Sequence, residues 1–155
     1  MDIDKLPEDL QEVFLEGAKA LKAKDWDKAI SLFSKVLTSY PNFVPALEAR
    51  AAAYLQKNDL DSAQADIDLA LKEEPNNARL YFRLGQVYYR RGDLDQALEL
   101  FTKAIDLEPM YPAAYMARSQ VLRDKGMEEA ADLELQKAVD AAREIAKARK
   151  VIDFV

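Results

Sequence analysis

Small and large apolar residues return along this chain at one fixed spacing. Ala29, Ala63, Ala97 and Ala131 stand 34 residues apart, and the series Phe33, Ile67, Phe101, Leu135 and Val36, Ala70, Ala104, Ala138 keep that interval. Within one interval the apolar positions fall four and three apart, as in Ala29, Phe33 and Val36, which is helical spacing. Punctuation recurs at the same interval. Lys24-Asp25, Asn58-Asp59 and Gly92-Asp93 divide each unit into two helices, and Gly126 does so in the fourth. Asp25, Asp59 and Asp93 are placed to cap the second helix, with Asp27, Asp61 and Asp95 in its first turn, where the helix dipole favours negative charge. Pro41, Pro75 and Pro109 then stop it.

The small residues Gly17, Ala51, Gly85 and Ser119 mark where the first helix of each unit approaches the second, opposite Ala29, Ala63, Ala97 and Ala131. On a helical wheel the first helix of the third unit gathers Tyr81, Leu84, Gly85 and Tyr88, flanked by Phe82 and Tyr89 on one side and Leu80 and Val87 on the other. That apolar arc spans about 220°, against the ~100° of a helix that packs on one side only. The helix must therefore pack on two sides, leaving a narrow wet strip of Arg79, Arg83, Gln86 and Arg90.

The third unit, from Ala78 to Pro109, resembles the tetratricopeptide repeat, with Tyr81, Leu84, Gly85, Tyr88, Ala97, Phe101, Ala104 and Pro109 at signature places. The resemblance covers residues 10 to 143 and implies an all-α fold, a right-handed α-solenoid of antiparallel helix pairs. Its units are expected at 10–43, 44–77, 78–111 and 112–143, after a lead-in at 1–9 and before a helical extension and tail at 144–155. The terminal units depart from the pattern: Ala20 and Leu122 replace an aromatic, and Arg143 replaces the closing proline. Ends that face solvent or a cap are expected to deviate.

In proteins similar to this one, the first helices line a concave groove that receives a peptide. Carried over by position, the groove holds Gln11, Phe14, Ala18 and Leu21 from the first unit, and Glu48, Ala52 and Leu55 from the second. The third contributes Arg79, Phe82, Arg83, Gln86, Tyr89 and Arg90, and the fourth Met116, Gln120 and Arg123. Arginine forks and aromatic rings suit a partner with acidic and apolar side chains. The competing reading leaves the arginines solvated and Phe82 and Tyr89 in the core. The carboxylate clamp of one family subclass would need lysines and asparagines where this chain has Phe14, Ala18, Ala49, Arg79 and Arg83, so binding of that type is not expected.

Composition narrows the function classes. A formal charge of −6 opposes a phosphate-binding surface, so nucleic acid is not an expected partner. With no Cys and no His, the commonest nucleophile, base and metal ligands are missing, and neither catalysis nor a cofactor is expected. Carboxylates such as Asp66, Asp68, Glu73 and Glu74 read as solvated helix faces. The opening Met-Asp-Ile-Asp-Lys-Leu-Pro lacks the basic and apolar character of a secretory signal, and no long apolar run suggests a membrane span. A cytoplasmic protein is therefore expected.

From Met127 no breaker intervenes before Asp153, which predicts a final helix about twice the usual length, with Ala131, Leu135, Ala138, Ala142 and Ile145 as its seam. It either caps the last unit or, with the apolar tail 151–155, enters the arginine-lined groove of another copy. The expected function is an adaptor or co-chaperone-like module that binds a partner protein in the groove. The alternative is a self-assembling scaffold, a homo-oligomer built through the C-terminal helix and tail.

Overall fold

The computed structural model describes residues 2–153. After a short 3-10 turn at Ile3–Lys5, eight α-helices follow among the described residues: α1 (Glu8–Lys22), α2 (Trp26–Ser39), α3 (Val44–Gln56), α4 (Leu60–Glu73), α5 (Ala78–Arg90), α6 (Leu94–Leu107), α7 (Pro112–Asp124) and α8 (Glu128–Asp153). The fold is all-α, a succession of helix pairs. The chain divides into two compact units, Met1–Asn76 and Asn77–Val155.

The turns inside the pairs follow the sequence punctuation. Lys24, Asn58, Gly92 and Gly126 all take positive φ, between 59° and 81°. Each helix before them ends in a 6→1 bond, such as Asp25 N–H to the Ala20 carbonyl at 2.9 Å, so the left-handed residue closes a Schellman cap. Asp25, Asp59 and Asp93 then accept from the backbone N–H groups of Lys28, Ser62 and Gln96 at 3.3, 3.3 and 3.1 Å. These are the N-caps that the aspartates predict.

In unit 1, α1 packs on α2, α2 on α3 and α3 on α4, while α1 also touches α3. The first-helix glycine makes room for an aromatic: a Cβ on Gly17 would lie 2.8 Å from the Phe33 ring. Phe14 meets Phe33 and Phe43 edge-on, with centroids 5.4 and 5.8 Å away. Across α2, α3 and α4, Arg50 forks onto Asp66 at 2.7 and 2.8 Å and donates to the Ser34 hydroxyl at 3.0 Å. Asp66 is thus not the solvated carboxylate that the sequence suggests. It is 5% exposed, because its neutralising cation comes from the facing helix.

Unit 2 repeats this internal plan at twice the 34-residue interval. Gly85 stands over Phe101, and Phe82 meets Phe101 and Tyr111 at 5.7 and 5.2 Å. Arg118 binds Glu134 at 2.8 Å and the Thr102 hydroxyl at 3.3 Å. Lys57 with Asp27 and Lys125 with Asp95 form the matching surface pairs. Ser119 donates to the Ala131 carbonyl at 2.8 Å, placing α7 hard against α8 where small residues were expected to meet.

The long final helix forms, but with a different seam. Ala131, Glu134, Ala138 and Ala141 are its buried positions. Glu134 replaces Leu135 on the inner line because Arg118 of α7 neutralises it, and Ala142 and Ile145 are exposed because α7 covers α8 only along its first half. Phe154 and Val155 of the expected tail lie outside the described residues.

Candidate functional site

The site is built on unit 2 by α5 and α7, which lie side by side. Alanine at 117 and glycine at 85 leave space between them, and the Phe101 ring from α6, 2% exposed, fills its base. Above that ring opens a cleft of about 250 Å³ lined by Gln86, Tyr89 and Arg90 of α5 and by Ala117 and Gln120 of α7. Four residues expected in the groove from sequence therefore meet at one recess. Arg83, half-buried one turn away, donates to the Gln86 side-chain oxygen at 3.3 Å.

A polar bridge joins the two helices where both end. The Tyr89 hydroxyl donates to the Asp124 carboxylate, which also accepts from the Gln120 amide at 2.8 Å. The hydrogen bond from Tyr89, followed by that from Gln120, holds the Asp124 carboxyl below its ordinary pKa. The same bond to Asp124, aided by partial burial, raises the Tyr89 phenol above its own. Asp124 and Ala117 were not among the expected site residues. Both follow from Gln120 by steps of four and three on one helix face, and that spacing could have found them.

The other expected residues fall elsewhere. Phe82 is a core ring against Phe101 and Tyr111. Arg79 is exposed at the start of α5, and Met116 is exposed on α7. Arg123 turns to α8, donating to Glu128 and Asp132 at 3.2 and 3.3 Å. In unit 1, Phe14, Leu21 and Glu48 are half-buried, and Gln11 donates to the Leu6 carbonyl at 2.7 Å, fastening the leading turn. Leu55, expected on the groove wall, is instead 2% exposed, because α3 is enclosed by both α2 and α4.

Chemically the unit 2 cleft offers an aromatic floor, two side-chain amides that each donate and accept, and a cationic edge at Arg83 and Arg90. At the matching positions unit 1 has Ala18, Leu21, Lys22, Ala49 and Ala52 around Phe33, with Leu15 in the place of Arg83. The same scaffold thus presents a polar face in one unit and an aliphatic one in the other.

Comparison with known proteins agrees with this architecture. Human tetratricopeptide repeat protein 16 is 36% identical over 62 residues, a stretch that is 40% of this chain and 7% of that protein. Among solved structures, a crystal structure of MamA superposes with a TM-score of 0.77 at 21% identity, covering 94% of this chain and 85% of that one. MamA from Desulfovibrio magneticus RS-1 gives 0.76 at 23% identity, over 87% of this chain and 76% of that one. At such identities the likeness is one of fold. The tetratricopeptide repeat family model matches residues 14–78, 48–112 and 82–149, so nearly the whole length is accounted for, and the chain belongs to the tetratricopeptide repeat family.

Proposed function

We propose that the protein is a binding adaptor whose α5–α7 cleft receives a segment of another protein carrying a large apolar side chain beside Asp or Glu. The observation that carries this reading is the cleft itself, an aromatic floor rimmed by Gln86, Tyr89, Arg90 and Gln120. The apolar side chain gains burial on Phe101 and Ala117, the glutamines bond the peptide backbone, and the arginines meet carboxylates in forked geometry. Met116 and Arg79 extend the contact surface on either helix. Repeats at 10–43, 44–77, 78–111 and 112–143 belong to the same reading, one helix pair each. So does the absence of a catalytic step, since repeats of this family serve ordinarily as interaction modules. No helix among the described residues is long and apolar enough to cross a membrane.

The test is a displayed peptide library selected against the intact protein and against Ala117→Trp, which fills the cleft. Selected peptides are expected to pair an apolar anchor with an acidic residue, and Ala117→Trp to weaken them by about tenfold or more, the value of ~1.4 kcal/mol. Arg83→Glu with Arg90→Glu should weaken the same peptides and flatten their salt dependence. Binding that ignores the filled cleft would move recognition off this face.

The uncovered second half of α8 favours a second reading, self-association. Here the solution mass of the chain alone should rise with its own concentration.

A further inference from the structure

Building on the self-association reading, we propose that residues 142–153 of α8 are a docking helix and that its occupant is the α1–α3 face of unit 1 in a second copy of the chain. The buried line of α8 passes through Ala131, Glu134, Ala138 and Ala141 and, by the same steps of four and three, continues through Ile145, Ala148 and Ile152. The continuation has no cover: Ile145 is 39% and Ile152 73% exposed, with Val151 beside them at 65%. These twelve residues carry α8 about 18 Å past its last buried position, Ala141, with apolar side chains that nothing in the same chain covers among the described residues.

Charge selects the occupant. Arg143, Lys147, Arg149 and Lys150 against Glu144 and Asp153 leave this segment at +2. Two such segments facing one another would set like charges together, and so would insertion into the face of Arg79, Arg83 and Arg90. Unit 1 is the opposite: its 15 acidic and 9 basic residues carry the whole net charge of −6, and Asn77–Val155, with 13 of each, balances at zero.

On unit 1, α1 and α3 lie side by side, and the aliphatic face described above includes Leu15, 53% exposed. Ala18 is exposed beside it, and Ala49 and Ala52 are half-buried on α3. Small residues at these positions leave room for isoleucine side chains. Glu8, Glu12, Lys19 and Lys22 are exposed on α1 and Glu48 is half-buried on α3, within the negative field of the unit. An amphipathic helix with anchors at i, i+3 and i+7 is the occupant that such a face fits. Each copy then carries one donor and one acceptor, a heterologous contact that closes as a reciprocal dimer or continues as a chain of copies.

Analytical ultracentrifugation of the 155-residue chain over a range of concentrations tests this. The mass should rise above one chain, and ~0.5 M salt should weaken the association, because the charges involved are exposed. Ile145→Asp with Ile152→Asp removes the donor, and Leu15→Lys removes the acceptor. All three side chains are exposed, so circular dichroism should show the fold retained. Each variant alone should associate about tenfold more weakly or worse. Mixed together they should associate again, since one retains the donor and the other the acceptor. Association that survives Leu15→Lys, or a mixture that fails to recover it, would overturn the pairing while leaving self-association standing. A mass fixed at one chain throughout would overturn both.

Discussion

At Gly85 two opposing effects can be weighed. Alanine there would gain up to about 1 kcal/mol of helix preference. Its Cβ, however, would sit 2.5 Å from one Phe101 ring atom and 2.7 Å from the next, and the ring is enclosed. Overpacking costs roughly 1–3 kcal/mol, and so close an approach to an enclosed ring puts it at about 2–3 kcal/mol, so Gly85→Ala is expected to lose about 1–2 kcal/mol net in urea unfolding. Gly17→Ala should lose less, because its nearest approach is 2.8 Å. If Gly85→Ala is as stable as the original, the ring has another place to go and the close-approach assignment fails.

Lys24 offers the reverse case. It holds φ at 60°, where Gly92 and Gly126 stand in the later units and a Cβ is a burden. Lys24→Gly should therefore raise stability by about 1 kcal/mol, and a lower urea midpoint would show that the lysine side chain contributes more than its backbone costs. Both features were legible in the sequence, since small residues and turn residues mark their places by identity and interval. The polar part was not. Asp66 looks the same on a helix wheel whether water or Arg50 faces it, and only the packing of α3 on α4 tells which.

Among elements, the decisive contacts join neighbouring helices through buried charge. Arg118 of α7 and Glu134 of α8 are 2.7 Å apart, with Lys137 adding a second bond to Glu134 at 2.8 Å. Burial alone would raise the Glu134 pKa, but hydrogen bonds from Arg118 and Lys137 outweigh it and hold it below the ordinary 4.5. A carboxyl depressed on folding stabilises fully above its unfolded pKa and loses that contribution as pH falls through the folded one. Acidification below about 4.5 should thus weaken the α7–α8 pair.

Removing one partner strands the other. Arg118→Met is expected to cost roughly 3 kcal/mol at neutral pH, as is Glu134→Leu, while the double variant should lose far less than their sum. Glu134→Leu should also remove part of the acid sensitivity. Additive losses with an unchanged acid profile would mean the pair is not coupled. On sequence alone Leu135 takes this line, because an apolar heptad position outranks a glutamate when the facing arginine is unknown. The Arg50–Asp66 and Arg118–Glu134 spacing, repeated at twice the basic interval, was the available signal. For the candidate site the same limit applied: identity and spacing found Gln86, Tyr89, Arg90 and Gln120, but not which neighbours would claim Arg123 or enclose Leu55.

For the whole molecule, the 34-residue period hides a longer one. Phe14 with its two ring partners Phe33 and Phe43 returns as Phe82 with Phe101 and Tyr111, and the Arg50 network returns as the Arg118 network. Each unit, Met1–Asn76 and Asn77–Val155, holds a complete set, with its own four helices and its own buried core. Domains of this size sit near the lower limit at which one core suffices, so small electrostatic differences should show. Expressed separately, residues 1–76 and 77–155 are each expected to unfold in one cooperative transition. Their response to salt should differ. Unit 1 carries −6 and its self-repulsion is relieved by screening, so its melting temperature should climb between ~10 mM and ~200 mM salt, as the Debye length falls from about 30 Å to under 10 Å. Unit 2 balances at zero net charge and gains support from ion pairs such as Arg123 with Glu128, so its melting temperature should stay level or fall slightly. A parallel climb in both fragments would show that local pairs outweigh net charge, and a fragment that melts without cooperativity would show that its core needs the other unit.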